Sequence, residues 1–164
     1  FFCLIISMTT AISQAQQIYQ WRGNDRKGIY EGTNLLTAWP AEDPQILWET
    51  SEIGLGYGSP TITASSVYIA GAPDSMACLF AFDLNGKLKW KTEFGKEWVK
   101  NYPGSRCAPT VADNLIYITS GYGNLYCIDT TGKIVWNLDL KNDLHGEYTI
   151  YGHSEYPLIK RDMV

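Results

Sequence analysis

The sequence lacks the short motifs that mark common catalytic and nucleotide-binding sites. It contains no G-x-S-x-G nucleophile elbow, no P-loop and no dinucleotide-binding fingerprint. It has no run of basic residues and a net charge of -4, so nucleic acid is not expected as a partner. None of its four cysteines is adjacent to another or forms a C-x-x-C pair, so no metal site is predicted from cysteine spacing.

Charge is also missing from the beginning of the chain. Residues 1–15, FFCLIISMTTAISQA, are uncharged, begin with an apolar run and end in the small-x-small triplet Ser13-Gln14-Ala15. This pattern predicts a secretory signal peptide cleaved after Ala15, and therefore a secreted or periplasmic protein. Polar residues interrupt the run well before the roughly 20 apolar residues of a membrane-spanning helix. No transmembrane segment is therefore expected in the mature chain.

What the chain does contain is a repeat. Residues 107–140 divide into four short apolar and β-branched segments separated by turn-forming residues, as in a four-stranded antiparallel meander. The predicted segments are Pro109 to Ala112, Leu115 to Thr119, Asn124 to Ile128 and Lys133 to Leu138. The same pattern occurs earlier, from Ser59 to Phe94. The tandem copies predict two similar four-stranded units.

Partial copies flank the two complete ones. Trp48 lies in a segment like the fourth strand of a unit, and Tyr156-Pro157 resembles the start of a third unit. Four-stranded repeats with a period of 40 to 50 residues are typical of β-propeller blades. We therefore predict an all-β propeller of four-stranded antiparallel blades, with about two complete blades and an incomplete ring, as the front part of a longer protein. The predicted divisions are 1–15 signal peptide, 16–45 leader or strap, 46–51 lone outer strand of a closing blade, 58–95 blade 1, 106–141 blade 2, 142–155 inter-blade loop and 156–164 the start of blade 3.

One motif occurs in both copies: an Asp, a turn ending in Gly, and then a Trp. Its members are Asp83, Gly86 and Trp90 in the first copy and Asp129, Gly132 and Trp136 in the second, each pair 46 residues apart. This motif resembles the repeat of pyrroloquinoline-quinone-type β-propellers, and the resemblance extends from about Trp39 to the end. It implies a quinoprotein-like propeller in which the tryptophans dock between blades.

The motif residues are interpreted as structural. A hairpin turn that needs a positive φ explains Gly86 and Gly132, because glycine adopts that conformation freely. Docking of Trp136 between blades predicts that Trp136→Ala costs about 3–5 kcal/mol of stability. Trp48 is expected to have the same role at the preceding blade, and Trp21 and Trp39 in the leader are also expected to dock on the ring.

Candidate ligand residues are confined to the long loops. His145 and His153 each begin an H-x-E sequence in the loop before the third unit, and His with carboxylate can bind Zn²⁺ or act as an acid–base pair. That spacing matches no standard metal motif, and a solvated loop is the simpler interpretation. Arg106 and Glu155 precede the inner-strand prolines, where they either bind an anionic ligand at the rim or form a salt bridge between blades.

Two classes of function follow. The first is a secreted or periplasmic scaffold that presents its rim to a protein, a glycan or a small molecule, with no catalytic residue and no cofactor. The second is a fragment of a quinoprotein alcohol or sugar dehydrogenase, for which the resemblance implies pyrroloquinoline quinone, Ca²⁺ and a vicinal cysteine pair. The chain has no such pair, and no position matches the dehydrogenase ligands. We therefore favour the scaffold.

Overall fold

The computed structural model describes residues 17–23, 25–30, 32–147, 149–160 and 163–164. The predicted signal peptide lies outside these residues. Within them, nine strands and one short helix are formed. They are β1 (Ile18–Tyr19), β2 (Thr61–Ile62), β3 (Val67–Gly71), β4 (Met76–Phe82), β5 (Leu88–Lys96), β6 (Thr110–Ala112), β7 (Leu115–Thr119), β8 (Asn124–Asp129), β9 (Ile134–Asp139) and α1 (Leu140–Leu144).

The strands form two antiparallel sheets. One has the order β2-β3-β4-β5, and the other has the order β1-β6-β7-β8-β9. The registers are equivalent, since Tyr68 faces Ala81 in the first sheet and Tyr117 faces Cys127 in the second. The all-β prediction is confirmed, and the two sheets are consistent with propeller blades. The described residues form no closed ring.

The core lies between the two sheets. One cluster of buried side chains joins β3, β4 and β5 of the first sheet to β6, β7 and β8 of the second. Its largest aliphatic members are Leu79, Val111, Ile116, Ile118 and Ile128. A second cluster on the other face of the first sheet contains Phe80 and Phe82, with Trp48 packed against it. Burial on both faces explains why β4, MACLFAF, is a continuous apolar run.

The turn between the third and fourth strands depends on the repeated Asp. The Asp83 carboxylate accepts hydrogen bonds from the backbone N–H groups of Asn85 and Lys87, both at 2.9 Å. Asp129 does the same in the second sheet with the N–H groups of Thr131 and Lys133. The Thr131 hydroxyl, which also donates to this carboxylate, and then these N–H groups lower the pKa of the Asp129 carboxyl group. The glycines that end these turns have φ of 82° and 92°, in the left-handed region. The carboxylate and the glycine together fix each hairpin.

Each turn is also a docking site for the tryptophan of the preceding segment. The indole of Trp90 lies on Gly132, where an added Cβ would come within 2.9 Å of the ring, and its Nε1 donates to the Thr130 carbonyl at 3.0 Å. Trp48 lies on Gly86 in the same way and donates to the Leu84 carbonyl at 3.2 Å. Docking therefore runs in one direction, from each segment to the next blade.

A second link joins the inner strands. The Thr61 hydroxyl donates to the Pro109 carbonyl at 2.6 Å, and the Thr110 hydroxyl donates to the Pro157 carbonyl at 2.7 Å. Both hydroxyl groups lie in buried side chains. Because the two pairs occupy equivalent repeat positions, the link is part of the blade architecture.

Several expectations differ from the structure. Residues 46–51 form no strand, because no neighbouring strand pairs with them in the described part of the chain, although Trp48 docks. Trp39 is 77% exposed and does not dock, whereas Trp21 stacks on Tyr156 at 4.8 Å between ring centroids. Trp136 is 40% exposed, so its substitution in this chain should cost less than the 3–5 kcal/mol expected from the sequence.

The remaining divisions stay predictions as units. Residues 156–164 contain no strand within the described positions, only an isolated bridge between Lys160 and Met163. Helix α1 occupies the beginning of the predicted inter-blade loop and was not expected. Asp139 forms its N-cap by accepting from the N–H groups of Lys141 and Asn142. A good N-cap explains how so short a helix forms after a strand.

Candidate functional site

Three long connections lie on one rim of the two sheets. They precede β2, join β5 to β6, and follow β9. Because the strands are antiparallel, these connections lie on the rim opposite the Asp83 and Asp129 turns. The connections contact one another: the Tyr57 N–H donates to the Ser105 carbonyl at 2.6 Å, and the Asn101 side chain donates to the Ile150 carbonyl at 3.4 Å. The rim is therefore one continuous surface.

The floor of this rim contains a buried carboxylate. Glu97 is 2% exposed, and its Oε1 accepts from the Trp98 N–H at 2.8 Å. Its Oε2 has no hydrogen-bond partner among the residues that the structure describes. Burial raises the pKa of the Glu97 carboxyl group, while the Trp98 N–H, the neighbouring Ser105 hydroxyl and the Gly121 N–H oppose part of this rise. Ser105 lies close to the carboxylate but does not make a hydrogen bond of ordinary geometry.

Trp98 and two glycines complete the floor. The Trp98 side chain is 3% exposed and packs on Tyr122, with ring centroids 5.2 Å apart. Gly121 lies against Glu97 and Trp98, and Gly152 lies against the Trp98 ring, so a Cβ at either glycine would collide with them. These contacts hold the loops after β5, β7 and β9 against one another. The floor is consequently a packed, rigid support.

The outer surface of the rim is apolar and aromatic. We define the rim patch as Tyr57, Tyr102, Ile150 and Tyr151, whose exposed fractions range from 48% to 68%. The rings of Tyr102 and Tyr151 lie 6.1 Å apart. Tyrosine is enriched at protein interfaces because it combines a large apolar surface with a polar group at one end. The patch thus has the chemistry of a protein-binding surface.

Arg106 lies beneath this patch and is engaged with the backbone. Its guanidinium donates to the carbonyls of Gly104 at 2.9 Å and Asn101 at 3.0 Å, and also to that of Tyr102. It lies 5.5 Å from the ring centroid of Tyr57. Arg106 and Glu155, both of which the structure describes, form no ion pair with each other, so these two residues do not together supply a salt bridge between blades. Arg106 shapes the loop that carries Tyr102, and its role as a ligand residue stays a prediction.

Glu155 contributes through its backbone, since its side chain is exposed. Its carbonyl accepts from the Thr119 hydroxyl at 2.8 Å and from the Cys107 thiol at 3.1 Å. Cys107 is 1% exposed, and burial raises its pKa to about 12, so it is a poor nucleophile. This group of atoms ties the start of the predicted third unit to blade 2.

The two histidines lie in different environments. His145 is the exposed left-handed C-cap of α1, with φ of 56°. His153 is half-buried, and its backbone N–H donates to the Gly121 carbonyl at 2.8 Å. Burial lowers the pKa of His153, and nearby Glu155 partly opposes this effect. Across the described ranges, no three His, Cys, Asp or Glu side chains are grouped so that they could hold a metal ion.

The cysteines do not fit the quinone site of the dehydrogenases. The resemblance implies a vicinal pair that stacks on the quinone, whereas Cys78, Cys107 and Cys127 lie in separate segments and are all free and buried. Chemistry that depends on such a pair therefore has no residues here to support it. The enzyme alternative stays a prediction.

Sequence reasoning missed the residues that form this site best. Glu97, Trp98, Tyr102 and Tyr151 lie in the loops GKEWVKNYPGSR and KNDLHGEYTIYGHSE, which were recognised only as rim connections. The available signal was their aromatic content: the two loops hold four Trp and Tyr residues, and each of the three that the structure describes, Trp98, Tyr102 and Tyr151, makes a ring contact.

Two repeated antiparallel sheets, joined by tryptophan docking and threonine links, define the class of protein as a propeller of the pyrroloquinoline-quinone-like repeat type. The family model described as outer membrane protein assembly factor BamB matches residues 79–164, just over half of the chain. The chain belongs to this family. A search of the curated proteins found no match.

No helix in the described part of the chain has the length and apolar character needed to cross a membrane.

Proposed function

We propose that this chain is a non-catalytic scaffold that binds another protein through the rim patch. One observation carries the proposal: exposed tyrosines and an isoleucine from three separate connections lie side by side on a packed floor. Aromatic side chains on a rigid support provide binding surface with little loss of conformational freedom. The family description, an outer membrane protein assembly factor, supports a protein as the partner rather than a glycan or small molecule.

The proposed location is secreted or periplasmic. Two observations support this location: the sequence of residues 1–15, which resembles a signal peptide, and the words "outer membrane" in the family description. N-terminal sequencing of the protein from the producing cell should give Gln16 as the first residue. An N-terminus that retains Phe1 would contradict cleavage after Ala15.

Position-specific photo-crosslinking tests the rim patch. A photoreactive phenylalanine analogue at Tyr102 should give a defined crosslink to one partner protein in the native cell. The matched control replaces Leu84, which is 49% exposed and lies in a turn on the opposite rim. Adding Tyr151→Ser should reduce the Tyr102 crosslink at least tenfold without changing the melting temperature, since exposed substitutions usually change stability by less than about 0.5 kcal/mol. Equal crosslinking from both rims would contradict the proposal.

The dehydrogenase alternative has a separate test. The purified full-length protein is incubated with pyrroloquinoline quinone, Ca²⁺, an electron-accepting dye and primary alcohols or sugars. We expect no dye reduction above that of the quinone alone. Substrate-dependent reduction of the dye would contradict the scaffold function and support the dehydrogenase alternative.

A further inference from the structure

The innermost edge of the second sheet is occupied by the chain's own leader. We call residues Gln17–Gly23 the inner strap. Within it, β1 pairs antiparallel with β6, and Ile18 faces Ala112 while Tyr19 faces Val111. Tyr19 also packs against the main core cluster. In a propeller the inner strand of each blade lines the central channel, so the strap shows that this channel-facing edge accepts an added strand.

The equivalent edge of the first sheet is open. β2 is the end strand of its sheet, and no strand covers it in the part of the chain that the structure describes. Ile62 occupies the position that Val111 has in the second sheet. Ile62 faces Val67 of β3, and Val111 faces the equivalent residue Ile116 of β7. Ile62 is 59% exposed.

Hydrogen-bond alternation shows which backbone groups of β2 face the channel. The Thr63 N–H donates to the Ser66 carbonyl of the adjoining segment at 2.9 Å. In an antiparallel pair, such groups point toward the same neighbour at every second residue. The backbone groups of Thr61 therefore point toward β3, and those of Ile62 point away from it. By the same alternation, Val111 presents its N–H and C=O to Tyr19. Ile62 therefore presents an equivalent donor and acceptor, which no other described residue occupies.

A cavity adjoins this open edge. Its volume is about 490 Å³, within the range of ligand-binding pockets. Its apolar walls come from Ile18 and Tyr30 on the leader side and from Pro60 and Ile62 on the blade side. An apolar side chain of an incoming strand can thus be buried while the strand's backbone pairs with Ile62.

We propose that the edge at Ile62 binds an extended peptide segment of a partner protein by strand addition, with an aromatic residue opposite Ile62 as Tyr19 lies opposite Val111. The proposal rests on the scaffold function but concerns a surface other than the rim patch. A partner segment is favoured over the strap of a second copy, because that strap already pairs with its own β6 and would lose this pairing. Main-chain hydrogen bonds supply the affinity and the cavity supplies the side-chain preference.

A labelled peptide of the strap sequence, QIYQWRG, serves as the probe in a fluorescence anisotropy titration of the full-length protein. We expect saturable binding to the wild type. Ile62→Pro should weaken it at least tenfold, because proline removes the channel-facing N–H while leaving the β2–β3 hydrogen bonds in place. Ile62→Val keeps this N–H and should change binding less than threefold. Unchanged affinity in Ile62→Pro, or no binding to the wild type, would overturn the proposal.

Two further measurements guard against misfolding and self-association. On the wild type, the peptide should slow hydrogen exchange at the Ile62 amide but not at Leu84 on the opposite rim; equal slowing at both would overturn strand addition at this edge. Sedimentation without peptide tests for self-association through this edge. A wild-type dimer that Ile62→Pro abolishes would assign the edge to a second copy, and we expect no such dimer. Tyr102 crosslinking reports on the rim patch independently, so the two proposals can fail separately.

Discussion

Substitution of Trp90, compared with the same substitution of Trp136, measures what docking between blades contributes. The two indoles have the same neighbour within their own sheets, since Trp90 and Trp136 each lie 6.0 Å from a tyrosine ring, Tyr68 and Tyr117 respectively. Only Trp90 lies on a turn of the following blade. The pair thus differs in the docking contact and in little else.

The expected magnitude follows from that contact. A Trp side chain buries about 150–250 Å², and about 100 Å² of docked surface at about 25 cal/mol per Å² gives roughly 2.5 kcal/mol. The hydrogen bond from Nε1 to the Thr130 carbonyl adds about 1 kcal/mol. We therefore expect Trp90→Ala to cost about 3–4 kcal/mol, and Trp136→Ala, whose ring is 40% exposed, to cost about 1 kcal/mol.

A double-mutant cycle with Gly132 tests the contact directly. Gly132→Ala has two costs: about 1–2 kcal/mol for a side chain at φ of 92°, and displacement of the Trp90 ring from 2.9 Å. In the Trp90→Ala background only the first cost is left. We expect a coupling free energy of about 1–2 kcal/mol, measured by urea unfolding of the four proteins at one pH.

Two results would refute this reasoning. Additivity of Trp90→Ala and Gly132→Ala within about 0.5 kcal/mol would show that the ring and the turn do not depend on each other. Equal losses in Trp90→Ala and Trp136→Ala would show that the energy resides within each sheet.

Three further outcomes are expected. Burial raises the pKa of the Glu97 carboxyl group in the folded state, so its contribution to stability is fully present below its unfolded pKa and is lost as pH rises through its folded pKa. Glu97→Gln should therefore flatten the pH dependence of the free energy of unfolding in urea and stabilise the protein at pH 7. An unchanged profile would count against this. Thr110→Val should lower stability by about 1–2 kcal/mol in the same assay, since the partly buried Pro157 carbonyl loses its donor; no loss would remove the link from the architecture. Iodoacetamide should modify Cys107 only after unfolding, as mass spectrometry would show, and rapid labelling of the native protein would contradict its burial.

Strand positions could be predicted from the sequence because local signals agreed. Turn residues separate the segments of residues 107–140, and β7 begins and ends at the predicted Leu115 and Thr119. β9 is shifted by one residue, from the predicted Lys133–Leu138 to Ile134–Asp139. Such shifts are usual where a strand passes into a turn or a cap.

Long-range partners could not be predicted in this way. The pairing of Ile18 and Tyr19 with β6 joins residues more than 90 positions apart, and two residues are too few to show strand periodicity. Trp21 and Trp39 both lie in the leader, yet of the two only Trp21 stacks on an aromatic ring among the described residues, because the strap leads it to Tyr156. The buried position of Glu97 likewise depends on Gly121, which approaches it from another loop.

The one-way docking of tryptophans bears on how the protein is made. Trp48 is synthesised before the turn at Gly86 that receives it, and Trp90 before the turn at Gly132. During translation each indole consequently lacks its docking contact until the ribosome has added roughly 40 more residues. We expect the nascent chain to dock one tryptophan each time the turn of the next blade is completed. A translational pause just before the codons of such a turn should therefore prolong the exposure of the undocked tryptophan to chaperones.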